Sequence, residues 1–89
     1  MTKTQKKLEQ QLIQLLTNAC EELKTQLPEF EYLTHYGQMS KLKHTLKVEL
    51  YCSNTLSGKQ LSQSLGVINN EIKPMGLTLK AHDLLMTVQ

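Results

Sequence analysis

Leu42-Lys43-His44-Thr45-Leu46-Lys47-Val48-Glu49-Leu50-Tyr51-Cys52 alternates residue by residue between two chemistries. Leu42, His44, Leu46, Val48, Leu50 and Cys52 fall on one side of an extended chain, and Lys43, Thr45, Lys47, Glu49 and Tyr51 on the other. A period of two over such a run predicts one long strand, 42–52, with a buried face and a wet face. Upstream, Phe30, Tyr32, Thr34 and Tyr36 alternate in the same way and predict a strand over 30–36. A turn over 37–41 joins them as a hairpin, with Phe30 opposite Val48 and Tyr32 opposite Leu46 on the buried face.

Helical spacing flanks this hairpin. Leu8, Leu12, Leu15, Leu16, Ala19, Cys20, Leu23 and Leu27 recur at three and four residues, which predicts an amphipathic helix over 4–27 ended by Pro28. Leu61, Leu65, Ile68 and Ile72 predict a second helix over 57–73, with Ser57 and Gln60 spaced as a capping box and Pro74 and Gly76 as stop signals. Leu77, Leu79 and Ala81 alternate with their neighbours, and the phase slips at His82-Asp83 before Leu84, Met86 and Val88 resume it. That predicts a strand over 77–88 with a bulge near 82–83. The expected fold is α+β, ordered α-β-β-α-β. Two helices pack on one face of a small antiparallel sheet within a single domain, 1–89.

Composition narrows the function classes. The chain has 89 residues, 39% of them hydrophobic and 20% charged, as suits a small folded domain. Ten lysines and no arginine face eight acidic residues, for a formal charge of +2. The bidentate fork with which arginine reads bases and phosphates is therefore missing. No apolar run reaches bilayer-spanning length, and the lysine-rich start leads into glutamate and glutamine. We therefore expect a cytoplasmic protein without a membrane partner.

Leu61-Ser62-Gln63-Ser64-Leu65-Gly66-Val67 has the spacing of the first helix and turn of a helix-turn-helix. Its continuation fits poorly. Ile68 stands where a serine or threonine should cap the recognition helix, and Pro74 leaves that helix too short for a major groove. One helix running through Gly66 is the expectation.

Catalytic and metal chemistries find little support. His35, His44 and His82 form no ligand spacing, and Cys20 and Cys52 are expected to be buried free thiols. Gly58-Lys59 is a fragment of a phosphate loop without its upstream glycine. No enzyme activity, metal or cofactor is expected.

The wet face of the hairpin is the candidate site. The expected register places Lys43, Lys47 and Tyr51 on one strand, Leu33 and His35 across from them, and Lys41 at the turn. Such a face suits an unidentified protein partner. The alternative is weak nucleic-acid binding by interleaved cations and aromatics, or through the helix-turn-helix at 57–73. Ile13 and Leu85 lie outside the predicted core stripes, so a homodimer is expected as well.

Three segments together resemble a group of small proteins from marine and enteric gammaproteobacteria, some of them labelled Fis-type regulators. They are Lys3-Thr4-Gln5-Lys6-Lys7-Leu8, Ala19-Cys20-Glu21, and Phe30-Glu31-Tyr32-Leu33-Thr34-His35 with Leu46-Lys47-Val48. The similarity covers mainly residues 3–52. Members carry a tryptophan and a phenylalanine-proline pair where this chain has Tyr32 and Lys41-Leu42. The resemblance implies the same α-β-β-α-β order and brings no established activity with it.

Overall fold

The computed structural model describes residues 3–89. Its longest element is helix α1 (Lys3–Gln26), whose 24 residues span about 36 Å at 1.5 Å per residue. That length sets the long axis of a molecule measuring 39 × 22 × 22 Å. Leu12, Leu16, Ala19 and Leu23 form its buried stripe, as their spacing requires.

Strand β1 (Phe30–Tyr36) follows, then a connection containing a 3-10 turn (Met39–Lys41) and the one-turn helix α2 (Leu42–Thr45). Strand β2 (Lys47–Cys52) leads to helix α3 (Gly58–Ile72), and two further 3-10 turns (Lys73–Met75 and Ala81–Asp83) precede strand β3 (Leu84–Val88). Among the described residues the result is an α+β domain with three α-helices and a three-stranded sheet ordered β1-β2-β3. α2 interrupts the simple alternation expected from the sequence.

The sheet is mixed rather than antiparallel. β1 and β2 run antiparallel, but β2 and β3 run parallel. The cause is α3, which carries the chain back along the sheet between two neighbouring strands, as a parallel pair requires.

The strand expected over 42–52 is a helical turn followed by a shorter strand. Leu42 and Leu46 are four residues apart, so they satisfy a helical turn as well as an alternation, and both are buried in the helical arrangement. His44, expected to point inward, is exposed. Thr45 holds the turn together. Its Oγ1 accepts the Gln38 N–H at 2.9 Å and donates to the Lys41 carbonyl at 2.8 Å.

β1 occupies the expected residues in a different phase. Phe30 pairs with Cys52, a bulge displaces Glu31, and Tyr32 then pairs with Tyr51, replacing the expected Phe30–Val48 and Tyr32–Leu46 pairs. One inserted residue moves every later side chain to the other face.

Residues 77–80 are not a strand either. Leu77 and Leu79 are buried, but the segment is held by the Asn69 side chain, which donates to the Leu79 carbonyl at 2.9 Å and accepts the Leu79 N–H at 2.6 Å. The strand begins at Leu84, after the 3-10 turn at the place where a bulge was expected.

α3 starts at a capping box: Gln60 N–H donates to Ser57 Oγ, and Ser57 N–H donates to Gln60 Oε1. It continues unbroken past Gly66 to Ile72, and Gly76, at φ +71°, closes the turn after it. The start of α3 lies beside the end of α1, where Gln63 donates to Gln26 and Gln60 to Glu29, so the two helices run antiparallel. Together they bury the inner face of β2, on which Val48, Leu50 and Cys52 are fully enclosed.

Candidate functional site

With both long helices on one side, the other side of the sheet is open. Residues alternate across β2, so Lys47, Glu49 and Tyr51 point away from the core. The register places Tyr32, Thr34 and Tyr36 beside them from β1, and Leu85 and Thr87 from β3. Tyr32 and Tyr36 are 44% and 46% exposed, and Leu85 is 41% exposed.

Glu49, on the central strand, organises this face. Its Oε1 accepts hydrogen bonds from the hydroxyls of Tyr36 at 2.7 Å and Tyr51 at 3.1 Å, and its Oε2 accepts one from Thr87. All three strands thus contribute to one carboxylate. Donors aimed at the charged form favour it. The bonds from Thr87 first and then Tyr36 hold Glu49 below the ordinary carboxylate range; desolvation opposes them, and the Tyr51 bond adds a smaller share. The Tyr36 hydroxyl moves the opposite way. The neighbouring Tyr51 hydroxyl, then the Glu49 carboxylate, keep it protonated well above the usual tyrosine range.

Beside this network the rings of Tyr32 and Tyr51 stack with centroids 4.6 Å apart and planes 13° from parallel. Gln89 extends the pattern by donating to the Tyr32 hydroxyl at 3.0 Å. Among the described residues Glu49 has no cationic partner within ion-pair distance; the one side-chain ion pair found joins His82 and Asp83 at 3.4 Å.

The six residues expected to share the wet face do not share it. Lys47 and Tyr51 are there. The bulge at Glu31 turns Leu33 and His35 to the helix side, where they pair with Leu50 and Val48. Lys41 belongs to the 3-10 turn and Lys43 to α2, both before the start of β2. Tyr32, Tyr36, Glu49 and Thr87 take their places. Glu49 was legible as a wet-face residue, but nothing in the sequence marked the three hydroxyls that converge on it.

The remaining candidates stay dispersed. Cys52 is buried, and that burial, then Glu29 and Glu31, raises its thiol above the usual cysteine range. Cys20 is half-buried rather than fully enclosed, and both thiols are free. It lines an open groove of about 340 Å³ between α1 and β1, with Ile13, Leu33 and His35. No group of three or more His, Cys, Asp and Glu side chains among the described residues is placed to hold a metal ion. No helix among them is long and apolar enough to cross a membrane. Gly66 and Val67 lie inside α3, so the turn of a helix-turn-helix is not formed there.

Comparison of the chain with protein-family models, with curated proteins and with solved structures finds no match in any of the three.

Proposed function

We propose that the protein is a non-catalytic binding module whose open sheet face receives a lysine- or arginine-bearing segment of a protein partner. One observation carries the proposal: a carboxylate at the middle of an open sheet face, held by hydroxyls from all three strands and without an ion-pair partner among the described residues. Three hydroxyls fix its position, so an incoming cation meets a preorganised anion. Tyr32, Tyr36 and Tyr51 surround it with ring surface, and a cation over a tyrosine face gains roughly 0.5–2 kcal/mol depending on desolvation. Tyrosine is also among the residue types that dominate protein interfaces.

Nucleic acid is the alternative occupant. The tyrosines offer stacking surface for a base, but Glu49 opposes phosphate, and among the described residues Lys47 is the one cation that the strands place on this face. The two readings separate in a titration of isotope-labelled protein, followed by amide chemical shifts at low and moderate salt. An arginine-rich peptide, a lysine-rich peptide, a glutamate-rich peptide and a single-stranded oligonucleotide serve as probes.

The cationic peptides are expected to move the amides of Tyr32, Glu49, Tyr51 and Thr87. Glu49→Gln, which keeps the shape of the side chain, is expected to remove that response. Silence with both cationic peptides at low salt sinks the proposal. A response to the oligonucleotide alone transfers the face to the alternative.

A further inference from the structure

β3 forms one edge of the sheet, bonded to β2 on one side only. Its five residues, Leu84-Leu85-Met86-Thr87-Val88, contain no charge and no proline, and its register with β2 runs without a bulge. Charges, prolines and bulges are what sheet edges commonly use against pairing with another chain, and β3 has none of them. The opposite edge differs. β1 carries the bulge at Glu31, an acidic residue there, and His35. Only the β3 edge is left plain.

The geometry points to a second copy of this chain as the occupant of the β3 edge, paired strand to strand about a two-fold axis through Met86. The register follows from which backbone groups are free. Gln89 N–H donates to the Cys52 carbonyl at 2.9 Å, so Gln89 faces β2. Alternation along the strand turns Leu85 and Thr87 the same way, and Leu84, Met86 and Val88 outward. An antiparallel copy centred on Met86 sets Met86 against Met86 and Leu84 against Val88. Every outward-facing residue therefore meets an outward-facing residue, and their N–H and C=O groups satisfy one another.

Side chains agree with this register. Val88 is 45% exposed and on the helix side of the sheet, where it pairs with Cys52. In the dimer it lies beside the partner copy's Leu84. That leucine rims an uncharged groove of about 230 Å³ formed with Gly58, Leu61, Leu65 and Ala81. A strand without charge does not repel its own copy, and the contact is self-complementary, as a two-fold interface must be. The two open faces then form one continuous six-stranded surface with two Glu49 sites.

Sedimentation velocity over a concentration series, combined with amide hydrogen exchange, tests this. A dimer is expected, with the Met86 and Val88 amides exchanging as slowly as those of Leu85 and Thr87. Val88→Lys is expected to yield a folded monomer in which Met86 exchanges fast. Ile13→Lys, which alters the exposed apolar residue on α1, should leave the dimer intact. A monomer at every concentration overturns the proposal, as does a dimer in which Met86 and Val88 exchange fast. If Val88→Lys fails to fold, the exchange pattern of the unaltered protein decides. Val88 lies on the opposite face from Glu49, so peptide binding there stands or falls separately.

Discussion

β2 shows two ways of holding a sheet together within six residues. Its inner face, Val48, Leu50 and Cys52, is fully enclosed and contributes apolar area alone. Its outer face, Lys47, Glu49 and Tyr51, is tied to both neighbouring strands by side-chain hydrogen bonds centred on one carboxylate. Burial is non-directional and strong; an exposed hydrogen bond competes with water and contributes little net stability. The inner face therefore decides that the chain folds. The outer face fixes the direction of a few groups and leaves them accessible, as a binding surface needs.

The sharpest break of this comparison is chemical. Cys52 reports on the inner face, and its raised thiol adds a second barrier to reaction, since the thiolate is the nucleophile. With a thiol reagent near neutral pH, Cys20 is expected to react in the native protein and Cys52 only after denaturant is added. Two thiols titrating at once under native conditions show that the inner face is open.

Next in size is the loss of volume from that face. Leu50→Ala empties a fully enclosed site and is expected to destabilise the fold by about 2–5 kcal/mol, the range for leucine-to-alanine changes in cores. A urea titration reads this as a lower midpoint at unchanged slope. A cost below about 1 kcal/mol places Leu50 at a site that relaxes or is wet. Asn69→Ala should cost less, roughly 1–3 kcal/mol, by leaving the Leu79 N–H and carbonyl without their side-chain partner. Leu79 is 1% exposed, so little water reaches those groups, and exchange of the Leu79 amide should accelerate together with the stability loss.

The same contrast explains what the sequence disclosed. Where apolar residues followed one period unambiguously, as in α1 and α3, the expected helices match the observed ones to within a residue or two. Leu42 and Leu46 obey both periods. The choice between strand and helical turn there rested on Thr45 bonding back to Lys41 and Gln38, a matter of local geometry that alternation does not encode. The parallel β2–β3 pair was legible in principle, because a helix between two neighbouring strands is a crossover.

The bulge at Glu31 was not legible. Both phases of β1 put apolar or aromatic side chains inward: Tyr32 and Tyr36 in one, Leu33 and His35 in the other. Tyrosine suits a core and an exposed face about equally well, so hydrophobic pattern alone could not choose. That ambiguity exchanged Leu33 and His35 for Tyr32 and Tyr36, and with Tyr36 it hid one of the hydroxyls that Glu49 gathers.

The smallest expected effect is the pH response of the outer face, and its sign separates the two partners. Glu49 has a folded pKa below its unfolded value, so the stability it lends is present above the unfolded carboxylate range, near 4.3. It is lost as pH falls through the lower folded value. Tyr36 has a folded pKa above its unfolded value, near 10, so its share is complete below that pH and is lost as the medium becomes more alkaline. Tyr36 is exposed and Glu49 is only partly buried, so solvent screens the interaction and keeps either slope shallow. Glu49→Gln removes the acid-side contribution outright, and with it the carboxylate that holds the Tyr36 proton. Urea midpoints of the two proteins across the acid and alkaline limbs should therefore differ in slope at both ends. Parallel profiles would mean that the three hydroxyls do not hold Glu49 in solution, and the outer face would then lack the fixed anion on which the proposed binding role depends.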